Sequence, residues 1–169
     1  MANFRDIAPE AMGGDVFTKI GKDWMLISAG NAQSHNMMTA SWGGLGVLWN
    51  KKVSTIYVRP SRYTYEFLEQ GDTYALCFFD ESYREALTYC GRHSGRDGDK
   101  CAATGLTPCF DSEAPYFEEA SLVLICKTLY KQDMDPAAFL DETLEGNYNG
   151  RDYHRIYIGE IVRVLQKES

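Results

Sequence analysis

Residues 53–67 read VSTIYVRPSRYTYEF, and they join a strand-like run to the start of a helix. The first six residues are mostly β-branched or aromatic, which favours a strand. Pro60 disfavours a helical conformation at Arg59, so the strand should end there. Ser61 is a suitable N-cap, and we predict a helix over residues 62–70. The stretch therefore predicts a strand, a tight turn and a helix in direct succession.

The same turn carries groups that can bind an anion. The unpaired backbone amides of a helix's first turn point towards an anion placed at its end. The guanidiniums of Arg59 and Arg62 can reach the same position and donate charge-assisted hydrogen bonds to it. The alternative is an ordinary helix cap whose arginines are solvated. From the turn alone, both interpretations stand.

Strands outnumber helices in the rest of the chain. We predict strands over residues 24–29, 37–41, 45–49, 54–58, 73–79, 121–130 and 153–165, with a turn at Gly43-Gly44 and a bulge or kink at Gly159. We predict helices over residues 62–70, ended by Gly71, and 82–90, ended by Gly91, and a short helix that begins at Asp135-Pro136. This order favours an antiparallel barrel or an α+β arrangement, and no GxGxxG motif follows a strand to indicate a Rossmann fold.

Two strands have side-chain patterns that predict how they are buried. Residues 73–79 are almost continuously apolar, so this strand should be buried on both faces. In the last strand, alternation places the following side chains on one face: Ile156, Ile158, Val162 and Val164.

Composition excludes several classes of protein. The 169 residues, 44% apolar and 13% aromatic, fit a single folded domain over residues 1–169. The net charge of −7 argues against nucleic acid and an anionic membrane surface as partners, so a phosphorylated ligand would need a local basic pocket. The first residues lack a basic segment followed by an apolar one, and no run approaches the ~20 apolar residues of a membrane span. We therefore expect a cytoplasmic protein.

The five cysteines do not form a recognised motif. They are Cys77, Cys90, Cys101, Cys109 and Cys126. Their number is odd and they include no CxxC pair, so we expect reduced thiols and neither a disulfide framework nor a zinc or iron–sulfur site.

Two further segments are candidates for ligand binding. Residues 35–44, HNMMTASWGG, would suit a flat heteroaromatic ring, because small residues let the backbone approach its polar edge while Met38 and Trp42 contact its face. Residues 90–100, CGRHSGRDGDK, could wrap an anion with backbone amides and with donors such as Lys100. The alternatives are a half-buried strand whose hydroxyls face solvent and a solvated, salt-bridged loop.

Taken together, four blocks resemble the flavin reductase-like family, which includes flavoredoxins. They are residues 36–42 (NMMTASW), 59–64 (RPSRYT), 91–100 with Ser94-Gly95, and 153–160 (YHRIYIGE). The resemblance lies in the order and spacing of the blocks, and it runs from about Gly21 to the C-terminus. It implies a mainly β fold with short helices, namely an antiparallel, Greek-key-type split β-barrel that binds FMN. It also implies a homodimer with the flavin near the subunit interface.

The resemblance also implies a set of cofactor-binding residues. These are Asn36, Met38, Thr39, Ala40, Ser41, Trp42, Arg59, Ser61, Arg62, Tyr63, Thr64, Cys90, Ser94, Gly95 and Lys100. The segment ending at Trp42 would lie against the flavin ring, the Arg59 turn would surround the phosphate, and the loop with Lys100 would close over the cofactor. We interpret His154, a lone histidine on a strand, as structural.

The implied activity is redox chemistry carried by the flavin. Electrons would pass from NADH or NADPH through FMN to an acceptor. The alternative is a flavoredoxin-like carrier that exchanges electrons with a protein partner, and a third hypothesis is an interaction module that has lost its flavin. No GxSxG, HExxH or catalytic triad competes with these interpretations, and no catalytic side chain or metal is expected.

Overall fold

One antiparallel sheet of eight strands dominates the computed structural model, which describes residues 3–168. The strands are β1 (Phe4–Asp6), β2 (Met25–Gly30), β3 (His35–Ala40), β4 (Gly43–Leu48), β5 (Lys51–Val58), β6 (Thr73–Phe78), β7 (Pro108–Cys109), β8 (Tyr116–Phe117), β9 (Leu122–Asp133) and β10 (Arg155–Lys167). The large sheet has the order β3-β2-β6-β9-β10-β5-β4, with β1 paired to the end of β10, while β7 and β8 pair separately.

Few helices accompany the sheet. The α-helices are α1 (Tyr63–Gln70), α2 (Arg84–Arg92) and α3 (Lys100–Thr104). A π-helix spans Thr18–Asp23, and short 3₁₀ turns lie at Pro9–Ala11, Glu81–Tyr83, Pro136–Ala138 and Glu142–Asn147. None of the helices within residues 3–168 is long and apolar enough to cross a membrane.

The sheet curls into a barrel with an open seam. Its two edge strands, β3 and β4, are joined only by Ser41 and Trp42. Such a connection spans roughly 10 Å at most, so the two edges must lie close together. A Cβ placed on Gly43 of β4 would lie only 3.1 Å from Met25 Cε of β2. Gly43 and Gly44 both belong to β4, and the chain reverses at Ser41 and Trp42. The prediction of a turn at Gly43-Gly44 was therefore wrong.

Two apolar cores lie on opposite sides of this sheet. Side chains of β2, β6, β9 and β10 fill the barrel interior, for example Ile27, Tyr74 and Leu124. Helix α1 closes the interior with Phe67. The outer core packs alternate residues of β2, β6 and β9 against α2 and β8. Residues 74–78 are all buried, which confirms that β6 is covered on both faces.

The pairing of β10 with β9 has two irregularities in its register, one at Gly159 and one at Val162. At the first, the extra residue is Leu129 of β9, so the register shifts at Gly159 but the bulge lies in the partner strand. At the second, the extra residue is Val162 itself, which is 47% exposed, whereas Val164 is buried. The prediction that Val162 and Val164 share one face was therefore wrong.

Helix boundaries differ from the predictions at two places. Arg62, not Ser61, is the N-cap residue of α1, because both the amide and the hydroxyl of Ser61 donate to the carboxylate of Asp152. Helix α2 begins at Arg84 and continues through Gly91, since a 3₁₀ turn occupies the preceding residues. The helical turn at Pro136 is confirmed, and Asp135 caps it as predicted.

Candidate functional site

A cavity of about 170 Å³ lies between the start of β3, the start of α1 and the loop after α2. We call it the basic cavity. Its lining residues are Asn36, Ser61, Arg62, Tyr63, Thr64, Arg92, His93, Ser94 and Lys100. The fold therefore brings three separate sequence blocks together. Arg92 and His93, which belong to residues 90–100 but were not among the predicted cofactor-binding residues, also line the cavity.

Two of the three cations that line the basic cavity, Lys100 and Arg62, are shielded from solvent and make hydrogen bonds to backbone carbonyls. Lys100 is only 4% exposed, and its Nζ donates to the carbonyls of Met37 (2.8 Å) and Cys90 (2.9 Å). Arg62 is half-buried and donates from Nη1 to the carbonyl of Gly91 at 3.0 Å. Neither side chain is in an ion pair within residues 3–168. Carbonyl dipoles leave the net positive charge uncompensated, so the cavity favours an anion.

Burial sets the electrostatics of this pair. It lowers the pKa of Lys100 to about 8, and the nearby guanidinium of Arg62 lowers that pKa further. Burial also lowers the pKa of Arg62 and raises the pKa of the Cys90 thiol, which stays neutral. At neutral pH both Lys100 and Arg62 therefore add positive charge to the cavity.

The surrounding backbone supports the same charge pattern. The carbonyls of Cys90 and Gly91 belong to the last turn of α2, where a helix favours cations. Tyr63 and Thr64 open α1, and their amides have no acceptor within the helix. The first turn of α1 thus adds donors to a cavity that already holds two cations.

Glycine at position 95 is required by close packing. Asn36 Nδ2 donates to Thr64 Oγ1 at 2.9 Å, which ties β3 to α1. A Cβ on Gly95 would lie 2.9 Å from Asn36 Cγ and 3.0 Å from Tyr63 Cδ1. Gly95 borders a neighbouring cavity of about 360 Å³ that also includes Asn36, Tyr63 and Lys100. The loop can approach β3 this closely only without a side chain.

The structure does not bring Arg59 into the basic cavity. Its guanidinium lies 4.9 Å from the ring centroid of Tyr148 and donates to the carbonyl of Asn147 at 2.9 Å. The Ser61 hydroxyl is occupied by Asp152 at 2.6 Å. Of the two arginines that the sequence suggested for the anion, only Arg62 lines the basic cavity.

The segment predicted to face a ring is divided between several environments. Met38 is buried in the barrel interior, and the partly buried Ala40 packs against the same core. The Thr39 hydroxyl donates to the carbonyl of Leu87 rather than facing solvent. Ser41 and Trp42 lie at the seam, and Trp42 is half exposed with its ring centroid 5.4 Å from that of His154. Cys90 is buried, and it contributes its backbone carbonyl.

His154 is part of a packed aromatic group that the sequence did not predict. Its Nδ1 lies 2.7 Å from the hydroxyl of Tyr148, and the ring also contacts Trp42 and Tyr57. Burial, with a smaller effect from Arg59, lowers the pKa of His154 to about 4, so the imidazole is neutral at pH 7. The signal for this group is the density of aromatic residues near the end of the β9–β10 connection.

Comparison with known proteins assigns the family. A model of the flavin reductase like domain matches residues 17–169. The chain belongs to the flavin reductase-like family. A search of curated proteins found no match.

Solved structures share the fold of this flavin reductase-like protein. An FMN-binding domain of a flavin reductases-like enzyme from Shewanella baltica superposes with a TM-score of 0.70 at 16% identity, covering 98% of this chain and 78% of the other. Flavoredoxin from Methanosarcina acetivorans gives 0.68 at 22% identity, covering 86% and 69%. An NADH:FAD oxidoreductase from Streptomyces globisporus gives 0.64 at 17% identity, covering 85% and 74%. The matched structures include a split barrel domain, which together with the open seam confirms the predicted fold class.

Proposed function

We propose that this protein binds FMN and passes electrons from a reduced nicotinamide nucleotide through the flavin to an acceptor. The observation that carries the proposal is a pair of cations, the buried Lys100 and the half-buried Arg62, which no carboxylate within residues 3–168 neutralises. A phosphate dianion would supply the missing charge, and family membership makes a flavin phosphate the best-supported ligand.

The residues of the basic cavity fit a phosphate group. Lys100 and Arg62 would donate charge-assisted hydrogen bonds, while the hydroxyls of Thr64 and Ser94 lie in the same lining. The opposite end of β3 leads to Trp42, which is exposed enough to contact a flat ring. When bound there, the flavin would supply the redox chemistry and the protein would hold and orient it.

Flavin binding has a direct test. We expect the purified protein to stay yellow after FMN addition and gel filtration. A colourless protein would instead support the hypothesis of an interaction module that has lost its flavin.

The source of electrons is tested separately. We expect anaerobic NADH or NADPH to bleach the oxidised flavin absorbance of the FMN-loaded protein in a stopped-flow experiment. The alternative function is a flavoredoxin-like carrier that receives electrons from a protein, which the likeness to flavoredoxins favours. Retained flavin that neither nucleotide bleaches would favour this alternative over the reductase.

The pKa of Lys100 predicts how FMN affinity depends on pH. A bound phosphate would raise this pKa, so binding above about pH 8 must take up a proton. We expect the Kd of FMN to be nearly constant from about pH 7 to 8 and to rise by up to about tenfold per unit above that. Riboflavin, which has no phosphate, should lack this dependence. Titrations followed by flavin fluorescence would measure both, and identical profiles for the two flavins would contradict a role for Lys100.

Three further proposals concern the assembly and its setting. We propose a homodimer and one domain over residues 1–169, for which family membership is the support. The five free cysteines support a reducing, cytoplasmic location.

A further inference from the structure

Residues 135–151 form a lobe between β9 and β10, which we call the acidic lobe. Its charged residues are Asp135, Asp141, Glu142, Glu145 and Arg151. Four carboxylates and one guanidinium make a net charge of −3, out of −7 for the chain. Within residues 3–168 none of these carboxylates is in an ion pair. The field of this lobe therefore attracts a positively charged surface.

Exposed apolar side chains share the lobe with these charges. Leu140 is 100% exposed and Leu144 is 46% exposed. Beside them lies a groove of about 340 Å³ whose lining includes Met134, Ala138, Phe139 and Ile156. Apolar contacts surrounded by charged residues are typical of a surface that binds another protein.

The acidic lobe is packed, so its surface is already formed. Tyr148 is buried, its hydroxyl lies 2.7 Å from His154 Nδ1, and its ring stacks on Tyr153 with centroids 4.8 Å apart. The guanidinium of Arg59 lies over the Tyr148 ring and donates to the carbonyl of Asn147. The leucines are exposed on a folded element rather than on a loose tail.

The lobe also borders both ends of the proposed flavin site. Asp152, directly after the lobe, accepts a hydrogen bond from the amide of Ser61, which lines the basic cavity. His154 contacts Trp42, at the end where the flavin ring would lie. Since Tyr148 of the lobe contacts His154, the lobe itself lies beside the proposed flavin site.

From this arrangement we propose that the acidic lobe docks a basic redox protein, which is reduced as the bound, reduced flavin is oxidised. The charge of the lobe selects a partner with lysines and arginines around an apolar contact, and the exposed leucines supply the matching apolar area. The proposal rests on the proposed function, since it requires FMN in the neighbouring site.

A basic c-type cytochrome is a suitable probe for this surface. We expect the FMN-loaded protein to bind it in isothermal titration calorimetry, with an affinity that falls by about tenfold or more between about 0.02 and 0.2 M salt. The double variant Asp141→Asn/Glu142→Gln should weaken binding at low salt by about fivefold or more, because it removes two of the four carboxylates of the lobe. An acidic ferredoxin should not bind.

A matched control changes the same charge elsewhere. Asp80→Asn/Glu81→Gln removes two exposed carboxylates that lie before α2, away from the lobe, and should leave binding of the cytochrome unchanged. Equal weakening by both double variants would show unspecific attraction and overturn the proposal, as would the absence of binding by the parent protein.

Two more measurements separate the remaining outcomes. If Leu140→Ser changes the oligomeric state in sedimentation, the lobe is an interface between copies of this chain and the proposal is wrong. FMN retention and bleaching by NADH or NADPH should be the same in the parent and in Asp141→Asn/Glu142→Gln. If the parent protein does not bind FMN, the proposed function itself is contradicted.

Discussion

Replacing Lys100 by methionine should weaken FMN binding by about 2–4 kcal/mol, roughly 30- to 1,000-fold in Kd, while riboflavin binding changes little. Lys100 is 4% exposed and has only carbonyl partners, so its charge is available to a phosphate in a site of low polarity. Methionine fills nearly the same volume without the charge. Fluorescence titrations with FMN and with riboflavin would measure the two affinities.

The Lys100 variant should remain folded without ligand. Burial of the ammonium is unfavourable in the empty site, as its lowered pKa shows, and this offsets the two hydrogen bonds that methionine cannot make. A residue that contributes to binding but little to the stability of the empty protein is typical of a functional site. An equal loss of affinity for both flavins would contradict a phosphate role.

Arg59→Ala provides the contrast. The sequence suggested Arg59 as a phosphate ligand, whereas its guanidinium contacts Tyr148 and the carbonyl of Asn147. We expect this variant to change FMN affinity less than about threefold, since it removes no group from the basic cavity. A loss of affinity as large as that of Lys100→Met would show that the phosphate lies beside Arg59 and not in the basic cavity.

Gly159→Ala should lower the free energy of unfolding by about 2–3 kcal/mol, or roughly 5–10 °C in Tm. A Cβ there would lie 2.8 Å from Tyr74 Cζ and closer still to the Tyr74 hydroxyl. Tyr74 is fully buried, and its hydroxyl is 2.6 Å from Ser54 Oγ, so it cannot move aside without breaking that contact. Thermal and urea unfolding would measure the loss.

Two further variants test the cause of this destabilisation. Gly44→Ala, in β4, meets no atom within 4 Å and should change stability by less than about 0.5 kcal/mol. Tyr74→Phe removes the nearest atom, so in a double-mutant cycle with Gly159→Ala we expect a favourable coupling of about 1 kcal/mol. Additive effects would show that backbone conformation, not the Tyr74 contact, makes alanine unfavourable.

Local physics made much of the fold predictable from the sequence. Strand β6 and the capped turn at Pro136 each depend on residues close together in the chain, and each is confirmed. One error arose where a distant residue competes for a backbone group. Ser61 failed as an N-cap because Asp152, 91 residues later, binds both its amide and its hydroxyl.

The candidate site could also be predicted from the sequence only in part. Its blocks could be recognised because their residue types and spacing are visible in one dimension, and the family match bears out that resemblance. Which arginine reaches the cavity could not be predicted, since Arg59 and Arg62 are three residues apart and diverge across a turn. The acidic lobe was not predicted either, because its packing depends on contacts between aromatic side chains.

By itself, the sequence determined an antiparallel fold of the flavin reductase-like family and a strand–turn–helix able to face an anion. Periodicity, turn residues and helix ends are local properties of a chain, so they can be read along it. Only the tertiary structure decided that Lys100, which opens the distant helix α3, is buried beside Arg62 with no counter-charge in the part of the chain that the structure describes. Desolvation and the absence of a carboxylate are properties of a packed volume, and they turn an ordinary helix start into a site that favours a phosphate.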